Sequence, residues 1–105
     1  LEYGMLSTPV VRIHERLGEL LLKPNREEAI EHYMKALQIS EKLPNNPPLS
    51  DTAYHALANN EFKNHNFSQA LLYYQLEIEQ ATIKEANEQE EESEEKQRDL
   101  FQISA

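Results

Sequence analysis

The side chains here best suited to chemistry are four histidines, His14, His32, His55 and His65, because an imidazole can hold a metal or move a proton near neutral pH. Their spacing argues against both uses. His14-Glu15 opens like a zinc-protease helix, but Gly18 occupies the position of the second metal-binding histidine. His32 follows Glu28 by four residues, the spacing of an ordinary ion pair on a helix surface. The chain has no cysteine, which removes thiolate nucleophiles, disulfides and zinc-thiolate sites. Serine, histidine and aspartate are all present, yet no nucleophile elbow surrounds them. With two glycines in total, a phosphate-cradling loop has no material to form from. The expectation is no catalytic centre, no bound metal and no cofactor.

The elements that carry these residues read as helices throughout. Thr8-Pro9 is a helix start, with Thr as N-cap and Pro at the first helical position. Val10, Ile13, Leu17, Leu20 and Leu21 follow at close to the helical period, and Lys23-Pro24 should end this helix. Asn25 with Glu28 has capping-box spacing. The second helix should run to about Leu43, with Ala29, Ile30, Tyr33, Ala36, Leu37 and Ile39 turned inward.

Pro44-Asn45-Asn46-Pro47-Pro48 is the clearest break in the chain. Beyond it, Ser50 or Asp51 caps a third helix carrying Ala53, Tyr54, Leu57, Ala58 and Phe62. Asn64-His65-Asn66 forms a tight connection. A fourth helix starts near Phe67 and carries Ala70, Leu71, Tyr74, Ile78 and Ala81. The fold class is therefore all-α: two antiparallel helix-turn-helix hairpins over 9–43 and 51–86, a lead segment over 1–8, and an acidic helix or tail over 87–105.

The chain's net charge of −9 sits mostly in that last segment. Residues 1–76 hold nine acidic and seven basic side chains, whereas residues 77–105 hold ten and three. Six of the eight residues from Glu88 to Glu95 are glutamate, the composition of a solvated helix extension or a disordered linker. This balance lacks the basic stripe that nucleic acid or an anionic membrane surface requires. No apolar run is long enough to span a bilayer, and no signal segment is evident, so a cytoplasmic protein is expected, with the nucleus as the alternative. The abrupt apolar start without an initiator methionine suggests an excised fragment.

The two hairpins also read alike. Leu17-Gly18, then Ala29, Tyr33 and Ala36, corresponds to Leu57-Ala58, then Ala70 and Tyr74, at a period near forty. In each, a large and a small residue on a first helix precede a small residue and an aromatic on the second. With Leu21 and Tyr54 added, this pattern resembles the tetratricopeptide repeat over roughly residues 9–86. Gly18 and Ala58 would let paired helices approach closely, while Tyr33 and Tyr74 fill the space between them. There are departures. Glu77 stands where a small residue matching Ala36 is expected, and Gly18-to-Ala29 is one residue shorter than Ala58-to-Ala70. The long period is similar to the extended subgroup found in kinesin light chains and spindle-orientation adaptors. HEAT-type hairpins of comparable length are the structural rival.

The resemblance implies a groove lined by the first helix of each hairpin, which holds a partner peptide or helix. Carried over to this chain, the outward positions are Arg12, Glu15, Arg16, Glu19 and Lys23, then Thr52, His55, Ala56, Asn59, Phe62 and Lys63. Arg12, Arg16, Lys23 and Lys63 would meet acidic groups of a ligand, His55 and Phe62 would add contacts, and Asn59 would both donate to and accept from a peptide backbone. The clamp for chaperone C-terminal carboxylates is not expected, because Glu15 and Glu19 stand where its Lys and Asn would be.

These features imply a protein-protein interaction module of a larger scaffold or adaptor. Self-assembly is the alternative, because two hairpins are fewer than such stacks usually need, and the Leu100, Phe101 and Ile103 cluster could join copies in a homo-oligomer. In a weaker reading the Glu run captures a basic protein, as in repeat proteins that resemble histone chaperones.

Overall fold

A computed structural model describes the backbone of residues 7–104 and the side chains of residues 7–100. The lead segment up to residue 6, and the side chains of Phe101 and Ile103, lie outside the described residues. Four helices follow in order: α1 (Thr8–Leu21), α2 (Arg26–Lys42), α3 (Asp51–Lys63) and α4 (Phe67–Ser104). The fold is all-α. No helix among the described residues is long and apolar enough to cross a membrane.

Local chemistry sets the helix ends. Ser7, not Thr8, is the N-cap of α1, which places Pro9 within the first turn. The Asn25 side-chain oxygen caps α2 by accepting from the Glu28 backbone amide (3.2 Å), and its side-chain NH2 donates to the Glu28 carboxylate (3.2 Å). Ser50 caps α3 by accepting from the Ala53 amide (3.2 Å). The turn from α3 to α4 is a Schellman closure, in which Asn66 N–H donates to Glu61 O (2.9 Å) and His65 N–H to Phe62 O (3.1 Å). His65 takes the left-handed position there, with φ of 62°, where glycine is usual.

Each hairpin packs on itself, α1 against α2 and α3 against α4, and the hairpins meet through contacts of α3 with α2 and α1. One core runs through both: Val11, Ala29, Ile30, Tyr33, Ala36 and Ile39 join Leu49, Ala53, Tyr54, Ala56, Leu57, Ala58 and Tyr73. Two helical hairpins packed in sequence order are compatible with a helical-repeat architecture. The Pro-rich loop is part of this core. Leu49 is buried, its amide donates to the Tyr54 hydroxyl (3.0 Å), and buried Ser40 Oγ donates to the Pro47 carbonyl.

The outer helices are rotated from their expected faces. Val11, Glu15 and Gly18 form the buried line of α1, while Ile13 and Leu20 stand in solvent and Leu17 is only half covered. On α4 the buried residues are Ala70 and Tyr73, whereas Leu71 and Ile78 are exposed. The reason is that each outer helix packs chiefly on its hairpin partner, so one narrow stripe is covered and the remaining apolar residues face outward. The segment over 87–105 is no separate tail along its described length: α4 continues unbroken through the Glu run.

Gly18 is required by close approach. A Cβ there would lie 2.7 Å from the ring of Tyr33, which is fully buried and has no room to swing aside. Helix propensity favours Ala over Gly by about 1 kcal/mol, and overpacking opposes it by about 1–3 kcal/mol. Gly18→Ala is therefore expected to lower unfolding free energy by up to about 2 kcal/mol, measured by urea denaturation. A raised midpoint would show that the two helices do not approach this closely.

Candidate partner-binding surfaces

Two open surfaces flank the stacked hairpins. The first lies where α1 meets the start of α3, a cleft of about 300 Å³ lined by Arg12, Glu15, Arg16, Glu19 and Ser50. Its floor is polar and already occupied by internal bonds. Glu15, expected to face outward, is buried and accepts from the Ser50 backbone N–H (2.7 Å). Arg12 Nη1 pairs with the other oxygen of Glu15, and Nη2 donates to the Pro48 carbonyl (3.0 Å). Arg12 thus ties the hairpins together. Arg16 remains in solvent, 77% exposed, with Glu19 at 3.5 Å. Lys23 lies past the end of α1, in the exposed turn before Pro24.

The second-hairpin residues divide in the same way. His55 Nδ1 lies 2.9 Å from Glu77 Oε2, and since a carboxylate only accepts, the ring donates from that nitrogen. Its ring also meets Tyr74 edge-on, with centroids 6.3 Å apart. Asn59 Oδ1 accepts from the Tyr74 hydroxyl at 2.6 Å. Both side chains therefore clasp α3 to α4, and Glu77, which departs from the repeat pattern, is one jaw of that clasp. Ala56 is buried rather than outward. Lys63 is exposed in the last turn of α3.

The second surface is apolar. Phe62 is 55% exposed and packs edge-on against Phe67, with centroids 5.4 Å apart. Together with Ala70, Leu71 and Tyr74 they line a shallow cleft of about 180 Å³ beside the α3–α4 turn. Of these residues, only Phe62 was expected to bind a partner. Phe67 and Leu71 were missed because helical spacing assigns them to the core, and no sequence signal tells a second apolar face from an inner one.

The titratable groups behave as structural parts. His14 and His32 meet between α1 and α2, with their Nδ1 atoms 3.1 Å apart. The ring centroids are 5.3 Å apart, longer than the nitrogen contact by about two ring radii, so the rings point head-on rather than stack face to face. That is the geometry of one N–H···N bond, and a proton on both nitrogens breaks it. Burial, then the nearby His32 and Lys35, hold the His14 pKa below its ordinary value. Burial, reinforced by Glu19 and Glu15, pushes the Tyr33 hydroxyl up to about 12. That hydroxyl has no hydrogen-bond partner among the described residues. No group of three or more metal-ligating side chains comes together among the described residues.

Comparison of the chain with protein-family models, with curated proteins and with solved structures finds no match in any of the three.

Because its folded pKa is depressed, neutral His14 stabilises the fold above the unfolded value of 6.5, and that stability is lost as pH falls below it. Urea midpoints should therefore fall on acidification from pH 7 through 6.5, and His14→Gln should flatten that slope. Equal slopes in both proteins would mean the pair does not form.

Proposed function

We propose that this chain is a protein-interaction module: two stacked hairpins of the extended tetratricopeptide-like type, from a larger scaffold or adaptor, that bind a partner peptide or helix. A cytoplasmic setting, with the nucleus as the alternative, goes with this reading. The observation that carries it is the exposed apolar cleft of Phe62, Phe67, Ala70, Leu71 and Tyr74. Two aromatic rings set edge to face on a rigid hairpin form a preorganised anchor site, since little side-chain entropy remains to be lost when a ligand seats there.

The groove between α1 and α3 supports the same reading in a reduced form. Arg12, His55 and Asn59 have internal partners, so the polar contacts left for a ligand there come from Arg16 and Glu19. Binding energy in such a module concentrates in a few buried apolar anchors, with polar groups around them adding selectivity.

Selection of displayed peptides against the 105-residue chain, followed by mapping of backbone amide shifts, tests this. The expected ligands carry aromatic or branched aliphatic anchors, perturb amides over residues 62–74, and lose about 1–2 kcal/mol of affinity when Leu71 becomes Asp. Failure to select any ligand, or perturbations confined to α2, would overturn the assignment.

A further inference from the structure

The outer face of α4 carries an ordered change of chemistry along its length. Leu71, Ile78, Glu85, Glu92 and Asp99 recur every seven residues, and all five are exposed. Seven residues fall about 20° short of two full helical turns, so this line winds slowly, as the seam of a left-handed coiled coil does. Its first two members are apolar and lie beside the packed hairpins. The last three are acidic and lie where α4 runs on beyond α3. Over residues 84–99 the helix holds eight acidic and three basic side chains, so the potential there is strongly negative.

We propose that this ridge is the docking surface for a partner helix that is apolar at one end and rich in lysine or arginine at the other. The inference rests on the chain being a protein-interaction module and names the class of partner. Leu71 and Ile78 would bury apolar side chains of the partner, while Glu85, Glu92 and Asp99 pair with its cations and set its direction. Charge argues against a second copy covering the full ridge, its acidic members included. Antiparallel pairing centred on Glu85 sets Leu71 against Asp99 and Ile78 against Glu92, and parallel pairing sets each carboxylate against its own copy. Residues 1–6 contain no basic side chain, so that segment does not supply the complement.

The test uses synthetic helical peptides with two leucines and three lysines at heptad spacing, made in both orders, and a third kind with glutamate replacing lysine. Each is titrated into the full chain by fluorescence anisotropy. One leucine–lysine order is expected to bind. Ile78→Asp should weaken it by at least about tenfold, as should the pair Glu85→Lys with Glu92→Lys, while that charge-reversed chain gains affinity for the glutamate peptide. Added salt should weaken the wild-type complex. All the substitutions are at exposed positions, and helical circular dichroism checks that each variant folds. Binding by neither order, indifference to either substitution, or a wild-type dimer that Ile78→Asp dissociates would overturn the proposal. If the designed peptides fail in one of these ways while display-selected ligands still bind at the Phe62 cleft, the ridge assignment fails and the interaction-module reading stands. If no ligand of any kind is found, the broader reading fails as well.

Discussion

The Glu15 carboxylate is the point on which the arrangement of the two hairpins depends. A carboxylate taken out of water costs several kcal/mol unless its lone pairs are met. Glu15 is met on both oxygens, by the Arg12 guanidinium and by the Ser50 N–H. The second contact lies at the N-terminus of α3, where unpaired backbone N–H groups and the helix dipole favour a negative charge. Because α1 and α3 belong to different hairpins, this bond fixes where one hairpin sits on the other. Arg12 extends the junction by binding the Pro48 carbonyl, so the loop between the hairpins is held from outside as well as from its own ends.

That junction decides which side chains stay open at the surface. Using Arg12 and Glu15 between hairpins, and His55 and Asn59 within the second one, removes four of the eleven expected groove-lining side chains from service to a ligand. What stays open is the side of α4 that α3 does not cover. There Leu71 and Ile78 are exposed, with Phe67 and the neighbouring Phe62 of α3 at the start of α4 and the long acidic extension at its far end. The stack is thus closed by polar clasps inside and left apolar at its edge.

Much of the architecture was legible in the sequence because capping and turn chemistry is local. Asn25 with Glu28, Ser50 and the Pro-rich break each act within a few residues, and all appear where expected. The role of Gly18 was legible too, since a small residue facing an aromatic implies close approach. The rotation of α1 and α4 was not. Val10, Val11, Ile13, Leu17, Leu20 and Leu21 span about half of the α1 surface, so hydrophobic spacing alone admits several inner faces. Burial of Glu15 selects one of them, and it depends on an amide thirty-five residues away. The partners of His55 and Asn59 likewise lie on α4, beyond the reach of local spacing. Of the residues expected to line the groove, Arg16, Lys23, Phe62 and Lys63 are exposed, whereas Arg12, His55 and Asn59 are bonded within the fold.

The most direct test of the junction is amide hydrogen exchange at Ser50 in the intact chain. That N–H precedes the first turn of α3 and has no helical acceptor, so its protection reports on Glu15. Exchange slowed by more than about a hundredfold relative to an open chain, at neutral pH, is the result expected if the buried carboxylate holds the hairpins together. Exchange at the rate of an unprotected coil, with the core amides of α3 still protected, would contradict it.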